Sequence, residues 1–326
     1  MNPENKIKIL VIRLSSLGDV LLTTPVLRAL KNKFPSSKIH FLVKPQFTDA
    51  VRSNPNISKI IEYDTSNIFE TKRNLKSQNF KIILDLQNNF RSRQITRFVH
   101  SKKYRFKKPS LKKWLLVKFK INFLKDYKKI PQRYAESMEG LQLDSNGLEL
   151  YIPNNIKPVL DDSKNYIGFC PGSQHRTKRW PKNYFIELGN MLVKNDFKVV
   201  LFGGKNDRIL CEEISNAIAG SINLQNEDNL LQIAADMKKC KVVVSNDSGL
   251  MHVATAMDVW VLAIFGSSVK EFGFTPYGIK NLILENNSLH CRPCSHIGKG
   301  ECPKNHFKCM NDITAQMVFN KIKNII

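Results

Sequence analysis

Hydrophobic runs alternate with helix-patterned stretches along the first half of the chain. Apolar, strand-like runs occur at Ile7 to Ile12, Ile39 to Val43, Lys59 to Tyr63 and Lys81 to Leu86. Polar or helix-patterned stretches separate these runs, and the longest of them extends from Gly18 to Phe34. This alternation predicts βαβ units around a parallel sheet.

The same alternation begins again in the second half of the chain. Strands are predicted to begin at Tyr166, Phe197, Lys241 and Val259, and helices at Asn183 to Lys194, Asp207 to Ala219, from Asn229, Ser248 to Met257 and Ile313 to Ile326. A passage rich in Pro and Asn, which starts at Tyr151, has the composition of a linker. The sequence therefore predicts an α/β protein of two Rossmann-like domains that face one another, residues 1–155 and 156–326.

Length and composition favour two soluble domains. The 326 residues exceed the roughly 150 that are usual for one domain. The sequence has no apolar run of about 18 residues, and the segment from Met1 to Ile7 is too polar for a signal peptide. We therefore expect a cytoplasmic protein.

A formal net charge of +23 indicates a polyanionic partner. Nucleic acid, an anionic membrane surface and phosphorylated substrates all fit this charge, as does a composition that only keeps the protein soluble. The segment from Lys102 to Arg133 contains thirteen Lys or Arg residues, one acid and an interleaved apolar series, typical of a basic amphipathic helix on anionic lipid. The lysines that would meet the headgroups are Lys112, Lys113, Lys118 and Lys120. The alternative is a helix that packs on its own domain and has solvated lysines.

An acid follows the first predicted strand, in the stretch RLSSLGD. Ser15, Ser16 and Gly18 precede Asp19 at the predicted start of a helix. The chain contains neither G-x-G-x-x-G nor G-x-x-x-x-G-K-[ST], so neither a dinucleotide fingerprint nor a P-loop is indicated. Asp19 is either a helix cap or a general base that takes a proton from an acceptor hydroxyl, and the motif alone does not decide.

Two later loops have the residue types that hold phosphate groups. The first, PGSQHRTKRWP from Pro171 to Pro181, follows an apolar strand. Its small and hydroxyl residues are Gly172, Ser173 and Thr177, and its cations are His175, Arg176, Lys178 and Arg179. Backbone amides, hydroxyls and cations together suit a diphosphate, whereas the alternative is a solvated basic loop.

The second loop, SNDSGLMHVATAM from Ser245 to Met257, turns at Asp247 and Ser248. Gly249 then opens a helix whose N-terminal amides can receive phosphate oxygens. His252 lies one turn along, on the same side as Ser248. It either contacts that ligand or forms a structural hydrogen bond.

A weaker loop of the same type, FGGKNDR, contains Asp207. Asp207 would accept hydrogen bonds from a ribose or base, or only cap its helix. The sequence contains no D-x-D triplet, which removes the commonest way to present a divalent cation to a sugar diphosphate. The charge on a leaving diphosphate would then be met by Lys178, Arg176 and helix amides, so we expect catalysis without a metal or other cofactor.

Four cysteines cluster near the end of the chain. They are Cys291, Cys294, Cys302 and Cys309, spaced C-x2-C-x7-C-x6-C, and His290, His296 and His306 lie among them. This set contains enough ligands for a tetrahedral structural zinc site, and the alternative is a packed group of thiols. Disulfides are disfavoured in a cytoplasmic protein.

Three motifs together resemble glycosyltransferase family 9, the family of ADP-heptose:lipopolysaccharide heptosyltransferases. They are IRLSSLGDVLLTTPVLRALK, PGSQHRTKRWP and SNDSGLMHVATAM, in the order and spacing of that family. The tail CRPCSHIGKGECPKNHFKCMNDIT resembles the Cys-rich ending of the second heptosyltransferase type. The resemblance implies a GT-B architecture, with the acceptor on the N-terminal domain, the nucleotide-sugar on the C-terminal domain and the reaction in the cleft between them. It also implies inversion at the anomeric carbon without a metal.

The resemblance implies roles for single residues. Asp19 matches the family's catalytic base, and Lys178 matches the lysine that neutralises the donor diphosphate. The other donor-binding residues would be Gly172, Ser173, Thr177, Asp207, Asp247, Ser248, Gly249 and His252, of which Ser248 stands where many members have Thr and Asp207 aligns loosely. The acceptor-binding residues would be Ser15, Ser16 and Gly18, with Arg91 and Arg93 of LDLQNNFRSR meeting phosphate or carboxylate groups.

The resulting hypothesis is transfer of a heptose from ADP-heptose to a lipid A-linked, phosphorylated lipopolysaccharide core. The enzyme would be cytoplasmic and peripherally associated with the anionic inner face of the inner membrane, and we expect no nucleic acid partner. One alternative is a transferase of the same fold that uses another nucleotide-sugar. Another is a basic nucleic-acid-binding protein with a zinc-like cysteine cluster, which leaves Asp19 and both phosphate-type loops unexplained.

Overall fold

The structure, a computed structural model, describes residues 7–326. The polar segment at the start of the chain, which argues against a signal peptide, lies outside these residues except for Ile7. Within residues 7–326, every helix is too short or too polar to cross a lipid bilayer.

Strands and helices alternate through the described residues and confirm the predicted α/β class. The strands are β1 (Lys8–Ile12), β2 (Lys38–Val43), β3 (Lys59–Glu62), β4 (Ile82–Asp85), β5 (Lys102–Arg105), β6 (Tyr166–Cys170), β7 (Lys198–Leu201), β8 (Ile222–Asn223), β9 (Cys240–Asn246), β10 (Trp260–Phe265) and β11 (Asn281–Glu285). The helices are α1 (Leu17–Leu21), α2 (Thr24–Lys33), α3 (Ile68–Ser77), α4 (Phe90–Thr96), α5 (Ser110–Phe119), α6 (Ile130–Ala135), α7 (Lys182–Val193), α8 (Arg208–Asn216), α9 (Leu230–Met237), α10 (Gly249–Ala256), α11 (Lys308–Asn311) and α12 (Ala315–Lys323).

The chain divides into two compact units, each built on a parallel sheet. The first unit contains the described residues up to Lys108 together with Ile130–Pro153, and its sheet has the strand order β3-β2-β1-β4-β5. The second contains Pro109–Lys129 and Asn154–Ile326, with the order β11-β10-β9-β6-β7-β8. Central strands such as β1 and β9 are almost wholly buried, since parallel sheets are usually covered on both faces, and this burial explains their continuous apolar sequences.

The predicted helix from Gly18 to Phe34 is two helices, α1 and α2. Pro25 lacks the amide that would bond to the carbonyl of Leu21, so one continuous helix cannot form there. The hydroxyls of Thr23 and Thr24 donate instead to the carbonyls of Val20 and Leu21, at 2.7 and 2.8 Å. The break leaves α1 as a separate short helix after β1.

The basic segment differs from its prediction in structure and in position. Residues 102–133 form β5, α5 and α6 instead of one amphipathic helix. Pro109 precedes α5, and Lys120 ends it with a left-handed φ of 61°. Pro109–Lys129 pack with the second unit, whereas the sequence places them in the first domain.

Candidate functional site

The predicted site residues lie at equivalent places in the two sheets. In open α/β sheets, ligands bind at the carboxyl ends of the strands where the strand order reverses. That place lies between β1 and β4 in the first unit and between β6 and β9 in the second. Asp19 follows β1, and Lys178 follows β6.

Asp19 is the third residue of α1 and does not occupy the N-cap position. Ser16 is the N-cap, and its backbone amide and hydroxyl donate to Asp19 Oδ2 at 3.2 and 2.8 Å. Asp19 therefore completes a capping box with Ser16. Ser16 is exposed, so the residue that hydrogen-bonds to Oδ2 lies at the surface of the unit.

Arg13 holds the other carboxylate oxygen of Asp19. Arg13 Nη2 lies 2.5 Å from Asp19 Oδ1, while Nε and Nη1 donate to the carbonyls of Ser15 and Leu86 at 2.9 and 2.8 Å. Burial alone would raise the pKa of Asp19, but the Arg13 charge and the Ser16 hydrogen bonds outweigh it and place that pKa below its usual value. Asp19 is therefore a carboxylate at neutral pH, the form that accepts a proton.

Tyr134 of α6 completes this arrangement. Its side chain is buried, its ring centroid lies 5.7 Å from Arg13 Cζ, and its phenol interacts electrostatically with Asp19. Burial raises the pKa of Tyr134, and the Asp19 charge adds to that rise against the effect of Arg13. Tyr134 therefore stays a neutral phenol beside Asp19. The sequence predicted neither Arg13 nor Tyr134.

The loop after β4 is organised by the buried carboxylate of Asp85. Asp85 accepts hydrogen bonds from the amides of Gln87 and Asn88 and from the Ser92 hydroxyl, at 3.1, 2.7 and 2.8 Å. Gln87 Oε1 in turn accepts from the amide of Leu14 at 3.0 Å. These contacts attach the loop to the residues that precede α1.

The predicted acceptor residues Arg91 and Arg93 lie on the exposed side of α4. Arg93 Nε donates to Asn88 Oδ1 at 2.8 Å, which connects Arg93 to the loop that Asp85 organises. Lys108 is a further cation whose charge interacts with the charged groups of this site. Its pKa is lowered by burial and by Arg13, against the opposing charges of Asp85 and Asp19. Acceptor contacts of Arg91 and Arg93 stay a prediction.

In the second unit, Lys178 pairs with Asp247. The Lys178 Nζ atom lies 2.6 Å from Asp247 Oδ2, which also accepts from the Ser268 hydroxyl at 2.6 Å. Both side chains of the ion pair are largely buried. The structure thus brings the PGSQHRTKRWP loop and the SNDSGLMHVATAM loop together at this pair.

Three contacts fix the backbone of the first of these loops. The Asn246 side chain accepts from the amide of Trp180 at 2.9 Å and donates to the carbonyl of Pro171 at 2.7 Å. Gly172 packs directly on Asp207, and any side chain at position 172 would overlap that carboxylate. Asp207 accepts from the Gly204 amide at 3.2 Å and makes no side-chain cap of α8.

The hydroxyls of Ser173 and Thr177, both predicted to bind the donor, are buried against protein. Ser173 Oγ donates to the Asp247 carbonyl at 3.3 Å. Thr177 Oγ1 accepts from the Lys299 amide at 2.8 Å and from the Ser267 hydroxyl at 3.0 Å. These contacts pack the Cys-rich tail against the PGSQHRTKRWP loop, and donor binding by Ser173 and Thr177 stays a prediction.

Ser248 and Gly249 stand at the N-terminus of α10. Among residues 7–326, no group hydrogen-bonds to the buried hydroxyl of Ser248. His252 is buried within α10. The free hydroxyl and the helix amides provide donors for an anion, while a ligand contact of His252 stays a prediction.

The structure does not support the predicted zinc site. In the described part of the chain, no group of three or more His, Cys, Asp or Glu side chains is arranged to hold a metal ion. Cys291 Sγ lies 3.8 Å from His306 Nε2, but Cys309 belongs to the hydrophobic core, where burial raises its pKa to about 12. The alternative of packed thiols describes Cys309.

Comparisons with known proteins identify a family for this chain. Residues 68–304 match the family model for glycosyltransferase family 9 (heptosyltransferase). The chain is 26% identical to lipooligosaccharide heptosyltransferase 2 of Haemophilus ducreyi, over 98% of this chain and 99% of that protein.

Two solved structures have the same fold. The structure of E. coli ADP-heptose LPS heptosyltransferase II matches with a TM-score of 0.76 and 22% identity, over 98% of each chain. The structure of a family 9 glycosyl transferase from Veillonella parvula matches with a TM-score of 0.78 and 24% identity, over 100% of this chain and 98% of that chain. These likenesses confirm the predicted GT-B class of fold.

Proposed function

The chain belongs to glycosyltransferase family 9, the heptosyltransferase family, and we propose that it moves a heptose from ADP-heptose to a lipid A-linked lipopolysaccharide core. The names of its relatives support both substrates, since they include lipooligosaccharide heptosyltransferase 2 and ADP-heptose LPS heptosyltransferase II. Family membership also accounts for Asp19 and both donor loops, which the nucleic-acid-binding alternative leaves unexplained.

The observation that carries this proposal is the state of Asp19. Its carboxylate is largely buried, paired with Arg13 at 2.5 Å and hydrogen-bonded to the exposed Ser16. In the proposed reaction, Oδ2 releases the Ser16 hydroxyl and removes a proton from an acceptor hydroxyl. The acceptor oxygen then forms a bond to the anomeric carbon as the bond from that carbon to ADP breaks. One such displacement inverts the anomeric centre.

The second unit would bind the donor and stabilise the departing ADP. Lys178, Ser248 and the amides at the start of α10 supply positive charge and hydrogen-bond donors to the diphosphate. Asp247 holds the Lys178 ammonium in place until the donor arrives. Because the sequence offers no D-x-D triplet, we assign the neutralisation of the diphosphate to these groups and not to a divalent cation.

We also propose that the enzyme is cytoplasmic and works at the inner face of the inner membrane as a peripheral protein. A lipid A-linked acceptor resides in a membrane, and the net charge of +23 favours an anionic surface.

The proposed function is tested with ADP-heptose and a truncated lipopolysaccharide core. We expect mass spectrometry to show the acceptor heavier by one heptose, together with release of ADP. A parallel screen with other nucleotide-sugars tests the donor. A product formed only with another sugar would identify a transferase of the same fold and overturn the heptose assignment.

Removing the charge of Arg13 should move the acidic limb of the pH profile of kcat/KM. Asp19 must be deprotonated to act, so kcat/KM falls as the pH falls through its pKa. In Arg13→Leu the burial of Asp19 persists without the compensating cation, its pKa rises, and the limb should move to higher pH. Lys108, Tyr134 and Asp85 are the other titratable groups near this pair and stay unchanged.

Two further variants make this experiment specific. Arg13→Lys keeps a cation and should return the limb toward its wild-type position. Arg28→Leu removes another partly buried arginine of the first unit, which pairs with Asp144 and Glu149, and should leave the limb unmoved. An unmoved limb in Arg13→Leu would contradict control of Asp19 by Arg13.

A further inference from the structure

We propose that the exposed apolar residues of α5 and the turn after it insert into the interface of an anionic lipid bilayer and attach the second unit to the membrane. This inference deepens the proposed membrane association and rests on it. We name these residues the α5 surface. They are Leu111, Trp114, Phe119, Ile121 and Phe123.

The α5 surface is apolar although it is open to solvent. Leu111, Trp114, Phe119 and Phe123 are 68%, 53%, 54% and 58% exposed. The opposite side of the helix is also apolar, since Leu116 is buried in a cluster with Leu124, Val269 and Phe272. A helix that is apolar around most of its circumference is usually enclosed, by protein or by lipid. Protein encloses only the Leu116 side within the described chain.

Half of the four lysines predicted to meet headgroups bind the protein instead. Lys113 Nζ lies 5.6 and 5.3 Å from the ring centroids of Phe272 and Phe274. Lys120 Nζ donates to the carbonyls of Pro293 and Val117, at 2.7 and 2.9 Å. These contacts fix the helix to the second unit, so the aromatic residues are presented on a firmly attached element.

The charges that remain around the α5 surface complement an anionic bilayer. Lys112, Lys118 and Lys125 are exposed. Trp and Phe favour the headgroup boundary, where an aromatic ring meets acyl chains, and neighbouring lysines favour anionic headgroups. Electrostatic attraction alone would be lost at high salt, whereas inserted side chains retain part of the binding.

The first unit also has exposed aromatic residues, at Phe69, Phe90 and Phe98. Phe69 and Phe98 of that unit are exposed, but Lys72 and Arg97 stack on their rings with centroid distances of 5.4 and 5.3 Å. A cation therefore already lies against each of these two rings. The observations therefore favour the α5 surface, and the first-unit residues serve as a matched comparison.

The test uses the full chain and vesicles of phosphatidylcholine with and without phosphatidylglycerol, labelled with bromine on the acyl chains. We expect co-sedimentation with the anionic vesicles, a residual fraction at high salt, and quenching of tryptophan fluorescence by the brominated chains. Trp114→Phe should remove most of the quenching and keep binding, because Trp180 is buried in the core and Trp260 is partly buried.

A double variant, Leu111→Ser with Phe119→Ser, should weaken binding by more than about tenfold, since each side chain loses its apolar burial. Ile279→Ser changes an exposed apolar residue elsewhere in the second unit, and Phe69→Ser with Phe98→Ser changes the first unit. Both should bind like the wild type. Normal binding of the α5 double variant, or loss of binding only in the first-unit variant, would overturn the proposal. Absence of quenching in the wild-type chain would overturn it as well.

An acyl-free core acceptor separates this inference from the proposed function. The α5 double variant should transfer heptose to that acceptor at the wild-type rate and lose activity only on acceptor embedded in vesicles. Equal activity of variant and wild type on embedded acceptor would overturn the α5 assignment. Failure of the wild-type chain on the acyl-free acceptor would contradict the transferase proposal itself, whatever the vesicle results.

Discussion

Replacing Asp19 with Asn should lower kcat by about 10² to 10⁴-fold, the usual contribution of one positioned general base. The amide keeps the size of the side chain and can still accept hydrogen bonds from Ser16, but it cannot take a proton from the acceptor. Single-turnover transfer from ADP-heptose measures the chemical step directly. ADP affinity should stay at its wild-type value because Asp19 belongs to the first unit.

The control for this variant is Asp49→Asn. Asp49 is an exposed acid of the same unit, where it pairs with Arg52 at 2.8 Å, and its replacement should leave turnover unchanged. The neutral amide leaves Arg13 without its ionic partner, which could affect folding. Circular dichroism would therefore establish whether Asp19→Asn is folded. Undiminished turnover in a folded Asp19→Asn protein would mean that Asp19 acts only in the capping box of α1.

The sequence predicted most of the central strands because burial on both faces makes them continuous apolar runs. It missed β5, whose sequence KKYR is charged because the strand lies at the edge of its sheet. It also missed β8, which is only two residues long, and β11, the strand at the other edge of the sheet that contains β8. The misplacement of Pro109–Lys129 has a different origin. Membership of a unit is decided by contacts with residues such as Phe272, which lie far away along the chain.

The candidate site shows the same division between local and distant information. Asp19, Lys178 and Asp247 stand in short motifs directly after strands, so their place at the carboxyl ends of those strands follows from the sequence. Arg13 directly follows an apolar run, and nothing in that run marks it as a site residue. Tyr134 follows a segment that packs with the other unit, so its contact with Arg13 could not be predicted from its neighbours in the sequence. The partners of Thr177 come from loops much later in the chain. No local pattern marks such contacts.

Replacing Lys178 with Met should lower kcat by about 10² to 10³-fold, as loss of one group that stabilises developing charge typically does. Met keeps the apolar length of the side chain and removes the ammonium that would meet the diphosphate. ADP should also bind more weakly, which isothermal titration would measure. Asp247 would keep its hydrogen bond from Ser268, so a thermal melt should show a folded protein.

Lys182→Met provides the matched control for Lys178→Met. Lys182 lies in the same unit and forms an exposed ion pair with Glu213 at 2.9 Å, which typically contributes at most about 1 kcal/mol. Its replacement should change neither kcat nor ADP affinity. If Lys178→Met weakened ADP binding but left kcat unchanged, Lys178 would bind donor and transition state equally. That result would contradict its proposed part in the departure of ADP, and attention would move to Ser248 and the amides of α10.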